Sequence, residues 1–371
     1  MKLRTRFTAM ALGALLCTGS LAGCGPAADQ VEDNGSVTGT AAVSDSEYPN
    51  LEAVNVSDYL TAQDISEFIP KECNLSGTKE DGTPWTIAWL DSDASDESMA
   101  YMDKCMKDVA KESGCEVISY DAQSDPQKQV DHVNNAINQG VDAIIINPVD
   151  TTSTISAMKK AMDSDILVID VQNPVDDETA YDYYEGPDDM LAGQLAASML
   201  IEACPDGGKV CMIEGMPGSA AEIKRKTSFM GVIQNYDQFD VVDIQACNNW
   251  STAEAMNIME SDLAKYDDIV GVFTHFDLAT LTAIQAAENL DRADGIKFVS
   301  VDGTQGALDK ISEGGCFTGT AFQDFTLNSQ VQMYMALAVL NGDGDKIEKY
   351  VMPNYVAATV DNASTLTAGW G

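Results

Sequence analysis

Residues 141–150 read VDAIIINPVD, and the apolar run Ala143–Ile146 within them is followed directly by asparagine and proline. A short run rich in isoleucine and bounded by polar residues predicts a buried strand. The segment 127–139 before it has helical periodicity and begins soon after Asp125 and a proline, which is typical of a helix start. A second helical segment, 152–163, follows. A strand between two helices predicts one unit of a parallel sheet, because parallel strands need a crossover connection.

The same alternation of short apolar runs and helical segments continues outward in both directions. A first set of strands is predicted at Thr86–Leu90, Glu116–Tyr120, Ala143–Ile146 and Ile166–Asp170, with helices near 98–113, 127–139 and 152–163. A second set is predicted at Lys209–Ile213, Val241–Gln245, Ile269–Phe273, Lys297–Val301 and Phe317–Ala321, with helices near 189–203, 220–235, 252–264, 278–290, 305–313 and 325–341. Two similar halves in tandem predict an α/β fold with two doubly wound parallel sheets. Ligands of such sheets bind beyond the carboxyl ends of the strands.

The first residues predict export. Lys2, Arg4 and Arg6 form a basic head, the apolar run Phe7–Leu16 follows, and small residues lead to a Leu-Ala-Gly-Cys ending at Cys24. This pattern is that of a signal peptide, and the run is too short for an ordinary membrane-spanning helix. The ending resembles the lipobox of bacterial lipoproteins, which implies that residues 1–23 are removed and that the Cys24 sulfur carries a lipid. A plain signal peptide with a chance cysteine is the alternative.

Two further segments precede the repeated pattern. Residues 24–50 contain few large apolar groups, so they predict a disordered tether between the membrane and the folded part. Residues 51–84 form an N-terminal extension that fits neither half of the pattern.

The composition excludes several classes of protein. A net charge of −38 over 371 residues repels nucleic acid. No GxSxG, HExxH, GxxxxGK[ST] or strand-borne GxGxxG motif is present, and the two histidines leave little room for histidine chemistry. We therefore expect no enzyme activity, no cofactor and no nucleic-acid partner. The acidic stretch 91–97 lacks the glycine and closing glutamate of an EF-hand loop, and 341–345 is typical of a helix end and turn, so we expect no metal site.

Seven cysteines follow Cys24, and none of them forms a CxxC pair. An exported protein can hold disulfides, and Cys204 and Cys211 flank a Pro-Asp-Gly-Gly turn, which makes them the best candidates for one. The alternative is that most of these cysteines are small buried hydrophobic residues.

Polar and aromatic residues stand at the ends of the predicted strands and in the loops and helix starts that follow them. They are Asp96, Asp170, Arg225, Trp250, Asp302 and Gln323, and they come from both halves of the chain. Carboxylates accept hydrogen bonds from hydroxyl groups, a guanidinium donates two parallel bonds, and an aromatic face covers the C–H side of a sugar ring. These residue types suit a polyhydroxylated ligand held across a cleft. Each also has a structural alternative, since aspartates form turns and caps, tryptophans fill cores, and Arg225 lies in a basic Lys-Arg-Lys run.

Together these segments resemble the type I periplasmic sugar-binding proteins, the ribose-binding-like family. The matching pieces, between about residues 86 and 360, are VDAIIINPVD, ILVID, GMPGSAAEIKRKTSF, NNWSTAEAMNIM, GVFTHFDLAT, FVSVDGT and TGTAFQD. The resemblance implies a three-segment hinge near 186–188, 322–325 and 353–355. It also implies an N-terminal lobe of 86–186 plus 324–353 and a C-terminal lobe of 187–323 plus 354–371.

The resemblance also implies the ligand-binding residues. The family's first-strand loop matches Asp96, Ser98 and Met99, and its other binding positions match Asp170, Arg225, Trp250, Phe276, Asp277, Asp302 and Gln323. Three departures from the ribose binders stand out: Val171 replaces an arginine, Phe276 replaces an asparagine, and Ser98 and Met99 replace aromatics. The departures argue against ribose itself and favour a different, less hydroxylated ligand.

The sequence thus predicts a monomeric, lipid-anchored binding protein on the outer face of the membrane, which captures a sugar-like solute by hinge closure and delivers it to an ABC permease. A receptor that passes a sugar or nucleoside signal to a membrane sensor kinase is the alternative, because it would bind its ligand in the same way. A sugar-responsive transcription factor would need a basic DNA-binding head in place of the export signal.

Overall fold

The structure, a computed structural model, describes residues 47–371. The predicted signal peptide at 1–23, the lipidated Cys24 and most of the tether at 24–50 lie outside the described residues. Among those described, no helix is both long and apolar enough to cross a membrane.

Twelve strands and nine α-helices form within residues 47–371. The strands are β1 (Thr86–Asp91), β2 (Glu116–Asp121), β3 (Ala143–Ile146), β4 (Leu167–Val171), β5 (Tyr183–Glu185), β6 (Gly208–Glu214), β7 (Phe239–Ala246), β8 (Ile269–Thr274), β9 (Lys297–Asp302), β10 (Phe317–Phe322), β11 (Tyr350–Val351) and β12 (Val356–Thr359). The helices are α1 (Glu97–Ser113), α2 (Pro126–Gln139), α3 (Ile155–Asp163), α4 (Asp189–Ala203), α5 (Ala220–Ile233), α6 (Thr252–Lys265), α7 (Asp277–Asn289), α8 (Gln305–Ser312) and α9 (Phe325–Leu340).

The strands form two sheets of six. The first has the order β11-β5-β4-β3-β1-β2 and is parallel throughout. The second has the order β12-β10-β9-β8-β6-β7, in which only β12 runs antiparallel to its neighbour β10. We call the first sheet with α1, α2, α3 and α9 the first lobe, and the second sheet with α4 to α8 the second lobe. The predicted α/β fold of two doubly wound sheets is confirmed.

The central strands of each sheet are buried on both faces, since helices cover the two sides to which successive side chains point. In β1, Ile87 and Trp89 pack with α1 and α9, whereas Ala88 and Leu90 pack with α2 and α3. This two-sided burial explains why the strands read as continuous apolar runs rather than as alternating patterns.

The helix ends follow the local sequence. The Asp125 carboxylate accepts hydrogen bonds from the backbone N–H groups of residues 127 and 128, and Gly140 ends α2 in a left-handed conformation at φ 69°. The predicted start of α3 at 152 is three residues early, because the Asp150 carboxylate binds the backbone N–H groups of Thr152 and Ser153 and holds them in a turn.

The chain passes from one sheet to the other three times: between β5 and α4, between β10 and α9, and between β11 and β12. Three short strands, β5, β11 and β12, were not predicted. They carry too few residues to show a periodicity, and two of them lie at sheet edges.

Residues 51–84 lie along both lobes. Val56 is buried among side chains of the second lobe, whereas Ile69 and Cys73 are buried in the first. Between these contacts, the Gln63 side chain accepts a hydrogen bond of 2.7 Å from the backbone N–H of Asn354, in the third connection between the sheets.

The cysteine pairing expected from the sequence is wrong. Cys204 ends α4 and Cys211 lies within β6, and all seven cysteines of residues 47–371 are free thiols. Six of the seven are buried, as in the hydrophobic alternative.

Candidate ligand-binding cavity

A cavity of about 340 Å³ lies between the two lobes. Its wall includes residues at or just beyond the ends of strands of both sheets: Asn147 after β3, Gln172 after β4, Phe276 two residues after β8, and Gln323 after β10. The carboxyl ends of parallel strands meet at the same edge of a sheet, so two facing sheets bring these groups together. The volume falls in the range of small-molecule sites.

The structure brings most of the predicted binding residues to this cavity and leaves two away from it. Those that line it are Asp96, Ser98, Met99, Arg225, Trp250, Phe276, Asp302 and Gln323. Asp170 and Asp277 do not line it.

Asp170 lies within β4 and has no exposed surface. One of its carboxylate oxygens accepts a hydrogen bond of 2.9 Å from the backbone N–H of Val175, and the other has no hydrogen-bond partner in the described part of the chain. Burial raises the pKa of Asp170 to about 8. Its contact is that of a turn-forming aspartate, the structural alternative that the sequence left open.

Asp277 is also fully buried, at the start of α7. Its carboxylate accepts hydrogen bonds from the hydroxyl groups of Ser300 and Thr320 and from the backbone N–H groups of Gly303 and Thr304. Burial raises the pKa of Asp277 to about 6, although these hydrogen bonds favour its charged form. Asp277 therefore holds the turn that directly follows Asp302, the last residue of β9, and does not itself reach the cavity.

Arg225 projects from α5 and is held by groups of the protein. Its Nε donates to an Asp189 carboxylate oxygen at 2.8 Å, Nη1 donates to the backbone oxygen of His275 at 2.6 Å, and Nη2 donates to the Tyr355 hydroxyl at 3.2 Å. An Asp302 carboxylate oxygen lies 3.5 Å from Nη1. A buried guanidinium between two carboxylates is fixed in direction, so it presents its remaining N–H groups in a defined geometry.

Asp302 shares this environment. Burial raises the pKa of its carboxyl well above the ordinary value, although the Arg225 guanidinium acts in the opposite direction. The Asp302 carboxyl lines the cavity beside Arg225, so its oxygens are available to hydrogen-bond a sugar hydroxyl.

Aromatic rings form two parts of the wall. The rings of Trp250 and Phe276 pack edge to face at a centroid distance of 5.3 Å, and those of Phe325 and Trp370 do the same, also at 5.3 Å. The Trp250 indole lies over Gly215, where an added Cβ would come within 1.8 Å of the ring. Glycine is therefore required at position 215 to seat the indole.

Several lining residues were missed at the sequence level. Asn147, Gln172 and Asn173 follow strand ends, so the rule that pointed to Asp170 could have found them. The Gln323 side chain donates a hydrogen bond of 2.7 Å to the Gln172 side-chain oxygen and thereby joins the two lobes. Trp370 carried no signal in the sequence, because it belongs to no strand or helix.

The ionisable groups of the wall are mostly acidic. Five carboxyl groups and one guanidinium, that of Arg225, line the cavity; the carboxyl groups are those of Asp93, Asp96, Glu97, Asp189 and Asp302. Carboxylates, amides and aromatic rings in a partly closed space fit an uncharged molecule with several hydroxyl groups. No cluster of histidine, cysteine, aspartate and glutamate that could hold a metal ion is found among residues 47–371.

Known proteins share both the sequence pattern and the fold. The model of a family described as periplasmic binding protein domain matches residues 87–344. The ribose import binding protein of Bacillus subtilis (strain 168) is 28% identical over 259 residues, which cover 67% of this chain and 82% of that protein. A xylitol-binding protein of Mycolicibacterium smegmatis is 29% identical over 260 residues, which cover 70% of this chain and 73% of that protein.

Two solved structures are also similar. An ABC transporter solute-binding protein from Bacillus halodurans C-125, with bound myo-inositol, has a TM-score of 0.70 and 27% identity, over 79% of this chain and 98% of that one. Another from Actinobacillus succinogenes 130z, with bound D-allose, has a TM-score of 0.71 and 26% identity, over 76% of this chain and 100% of that one. Since the family model spans more than half of the sequence and these folds agree, this chain belongs to the periplasmic binding protein domain family.

Proposed function

We propose that this protein captures a monosaccharide or a similar polyol outside the cytoplasm, closes its two lobes around it and delivers it to an ABC importer. The observation that carries the proposal is the cavity between the lobes, where side chains from the strand ends of both sheets meet. A ligand that touches both lobes stabilises the closed arrangement by its greater affinity for it.

The chemistry of the wall supports this class of ligand. Arg225 and Asp302 offer paired donors and acceptors, and Trp250 and Phe276 offer apolar ring surface. A buried polar site of this kind rejects an analogue that lacks one hydroxyl, because a protein group is then left without its partner. The similar proteins carry ribose, xylitol, myo-inositol or D-allose in their names or structures, which supports a neutral polyol as the ligand.

The proposed cycle has no chemical step, in keeping with a family of substrate-binding proteins. The lobes move about the connections near 186–188, 322–325 and 353–355, with 86–186 plus 324–353 as one body and 187–323 plus 354–371 as the other. The import names of the relatives favour delivery to a permease over signalling to a sensor kinase. The family is extracytoplasmic. As part of the proposal, a lipid on Cys24 holds a monomeric protein at the membrane.

The test is a thermal-shift screen of the purified protein against D-ribose, D-fructose, D-allose, xylitol and myo-inositol. A compound that binds only the folded state at a hundred times its Kd adds about 2.7 kcal/mol of stability, which corresponds to a rise in Tm of roughly 5 °C. Small-angle scattering should show a smaller radius of gyration with that compound. If none of a wider panel of neutral sugars and polyols raises the Tm, the proposed ligand class is refuted.

Two matched variants connect the response to the cavity. Asp302→Asn should reduce the shift, because the carboxyl beside Arg225 is replaced by an amide. Asp237→Asn makes the same chemical change at an exposed position that does not line the cavity, and it should leave the shift unchanged.

A further inference from the structure

Residues 49–77, which precede the family match at 87–344, contact both lobes, and we call them the strap. The first part of the strap is held on the second lobe by side chains that bind its backbone. Gln234, Asn235 and Asn362 donate hydrogen bonds to the backbone oxygens of residues 49, 51 and 60, at 2.8, 2.8 and 3.0 Å. Helix α5 has a glycine at position 231, where an added Cβ would come within 2.7 Å of the oxygen of residue 49. The second lobe is thus shaped to receive this segment.

The second part of the strap is held on the first lobe. Ile65 and Phe68 pack against the core of that lobe. The backbone N–H of Asn74 donates a hydrogen bond of 2.6 Å to an Asp343 carboxylate oxygen, and the Asn341 side chain donates one of 2.8 Å to the backbone oxygen of residue 76. Each part of the strap is therefore fixed to a different lobe.

The strap crosses from one lobe to the other within residues 60–65. Leu60, held on the second lobe, and Ile65, packed on the first, are five residue steps apart, so the chain between them spans at most about 18 Å when fully extended. Within this crossing, the Gln63 side chain accepts the 2.7 Å hydrogen bond from the backbone N–H of Asn354, in the third connection between the sheets. The crossing is thus a fourth passage of the chain between the lobes, beside the three that connect the sheets.

The strap makes these contacts while the lobes are together. Beside the cavity, the backbone N–H of Ala220, at the start of α5, donates a hydrogen bond of 2.9 Å to the side-chain oxygen of Asn173, in the loop after β4. To separate the lobes widely, the protein must extend residues 60–65 or release one set of strap contacts, and either change costs free energy. A connection that keeps the binding-competent arrangement more populated lowers the apparent Kd for the ligand.

We propose that the strap limits how far the two lobes separate, stabilises the closed arrangement and thereby raises the affinity for the ligand. The inference rests on the proposed function, since it assumes that the lobes open and close around a ligand. It gives a role to an N-terminal segment that belongs to neither sheet.

The experiment loosens the strap without removing its contacts. A flexible insertion of about six glycine and serine residues between Thr61 and Ala62, which are both exposed, lengthens the crossing at little cost in stability. The matched control places the same insertion between Gly314 and Gly315, in the exposed turn between α8 and β10 of the second lobe. In a second variant, Gln63→Ala keeps the length of the crossing and removes its hydrogen bond to the third connection.

Two measurements are made on each protein: small-angle scattering without ligand, and calorimetric titration with the compound of the sugar and polyol panel that binds wild type most tightly. The strap insertion should increase the radius of gyration of the ligand-free protein and raise the Kd by about three- to tenfold, because the closed arrangement becomes less populated. Gln63→Ala should raise the Kd by about twofold. The control insertion should match wild type in both measurements.

The outcomes separate the two proposals. A wild-type protein that binds none of the panel refutes the proposed function, and the ligand-free scattering then still tests the strap. A strap insertion that equals the control insertion in both radius of gyration and Kd refutes the role of the strap alone, and so does tighter binding. If the strap insertion does not fold, as judged by circular dichroism, a Kd of Gln63→Ala equal to that of wild type overturns the inference.

Discussion

Replacing Asp170 with asparagine separates a turn-forming role from a ligand-binding role. The carboxyl is fully buried, one of its oxygens accepts a single hydrogen bond from the backbone N–H of Val175, and the pKa is raised to about 8 by burial. An asparagine keeps an oxygen for that bond and brings no charge into the interior. We therefore expect Asp170→Asn to fold, to hold the loop after β4, and to bind ligand with wild-type affinity.

The magnitude follows from proton linkage. An aspartate in an unfolded chain loses its proton near pH 3.9, about four pH units below Asp170 in the folded protein. Because the unfolded chain releases this proton at a lower pH than the folded protein does, a rising pH favours the unfolded chain. The free energy of unfolding is therefore highest below the unfolded pKa and falls as the pH rises toward the folded pKa. The window therefore runs from about pH 4 to about pH 8. At roughly 1.4 kcal/mol per unit, the loss at pH 7 reaches at most about 4 kcal/mol.

The assay is urea unfolding of wild type and Asp170→Asn between pH 4 and pH 8. The variant should match wild type near pH 4 and exceed it increasingly toward pH 8. Asp163→Asn, at an exposed position at the end of α3, is the control and should follow wild type throughout. Equal pH dependence of wild type and Asp170→Asn would refute the linkage argument, and loss of ligand affinity in that variant would instead assign Asp170 to the ligand.

Three further changes have defined outcomes. Arg225→Met leaves the buried Asp189 carboxylate without its positively charged partner, with only the Tyr355 hydroxyl still donating to it at 3.0 Å, so it should lower the free energy of unfolding by about 3 kcal/mol or more, measured by urea unfolding, and abolish ligand binding. Gly215→Ala places a methyl group against the Trp250 ring and should weaken ligand binding in calorimetry while the circular dichroism spectrum stays unchanged. Ile69→Ala removes an N-terminal contact with the first lobe and should lower the Tm without changing affinity, since it does not line the cavity.

The fold was predictable because its signals are local and repeated. Runs such as Ala143–Ile146 and Lys297–Val301 are bounded by turn residues, and the structure places strands there within a residue. The strand β11, Tyr350–Val351, has two residues and exists only because β5 lies beside it. The pairing of β11 with β5 depends on the folded lobe, and two residues are too few to show the periodicity of a strand.

The position of the site was predictable from the sequence, but only some of the residues that line it were. The rule that ligands lie beyond strand ends located Asp302, Gln323 and the residues after β8. The rule could not decide whether the side chain of a given strand-end carboxylate faces the cavity or the loop that follows the strand. That direction depends on the backbone conformation of a single residue. The Asp170 side chain contacts the loop after β4, where the Val175 N–H binds it. Gln172, two residues later, lines the cavity and has a left-handed backbone conformation at φ 60°.

Strained backbone conformations occur at many of the residues that line the cavity, as they do at Gln172. Eight non-glycine residues within 47–371 have positive φ, and five of them line the cavity: Ser124, Gln172, Asn249, Trp250 and Asp302. Each such conformation costs roughly 1–3 kcal/mol, and it persists only where surrounding contacts hold it. Glycine would relieve the strain at every one of these positions, but it would remove the side chain that the cavity wall needs. Glycine would adopt these conformations at a lower cost, yet side-chain-bearing residues occupy them. We expect such strain where the direction of a side chain matters more than local stability. It also explains why the sequence alone could not show that Ser124, Gln172 and Trp250 line the cavity, because these residue types rarely adopt the positive φ that they have here.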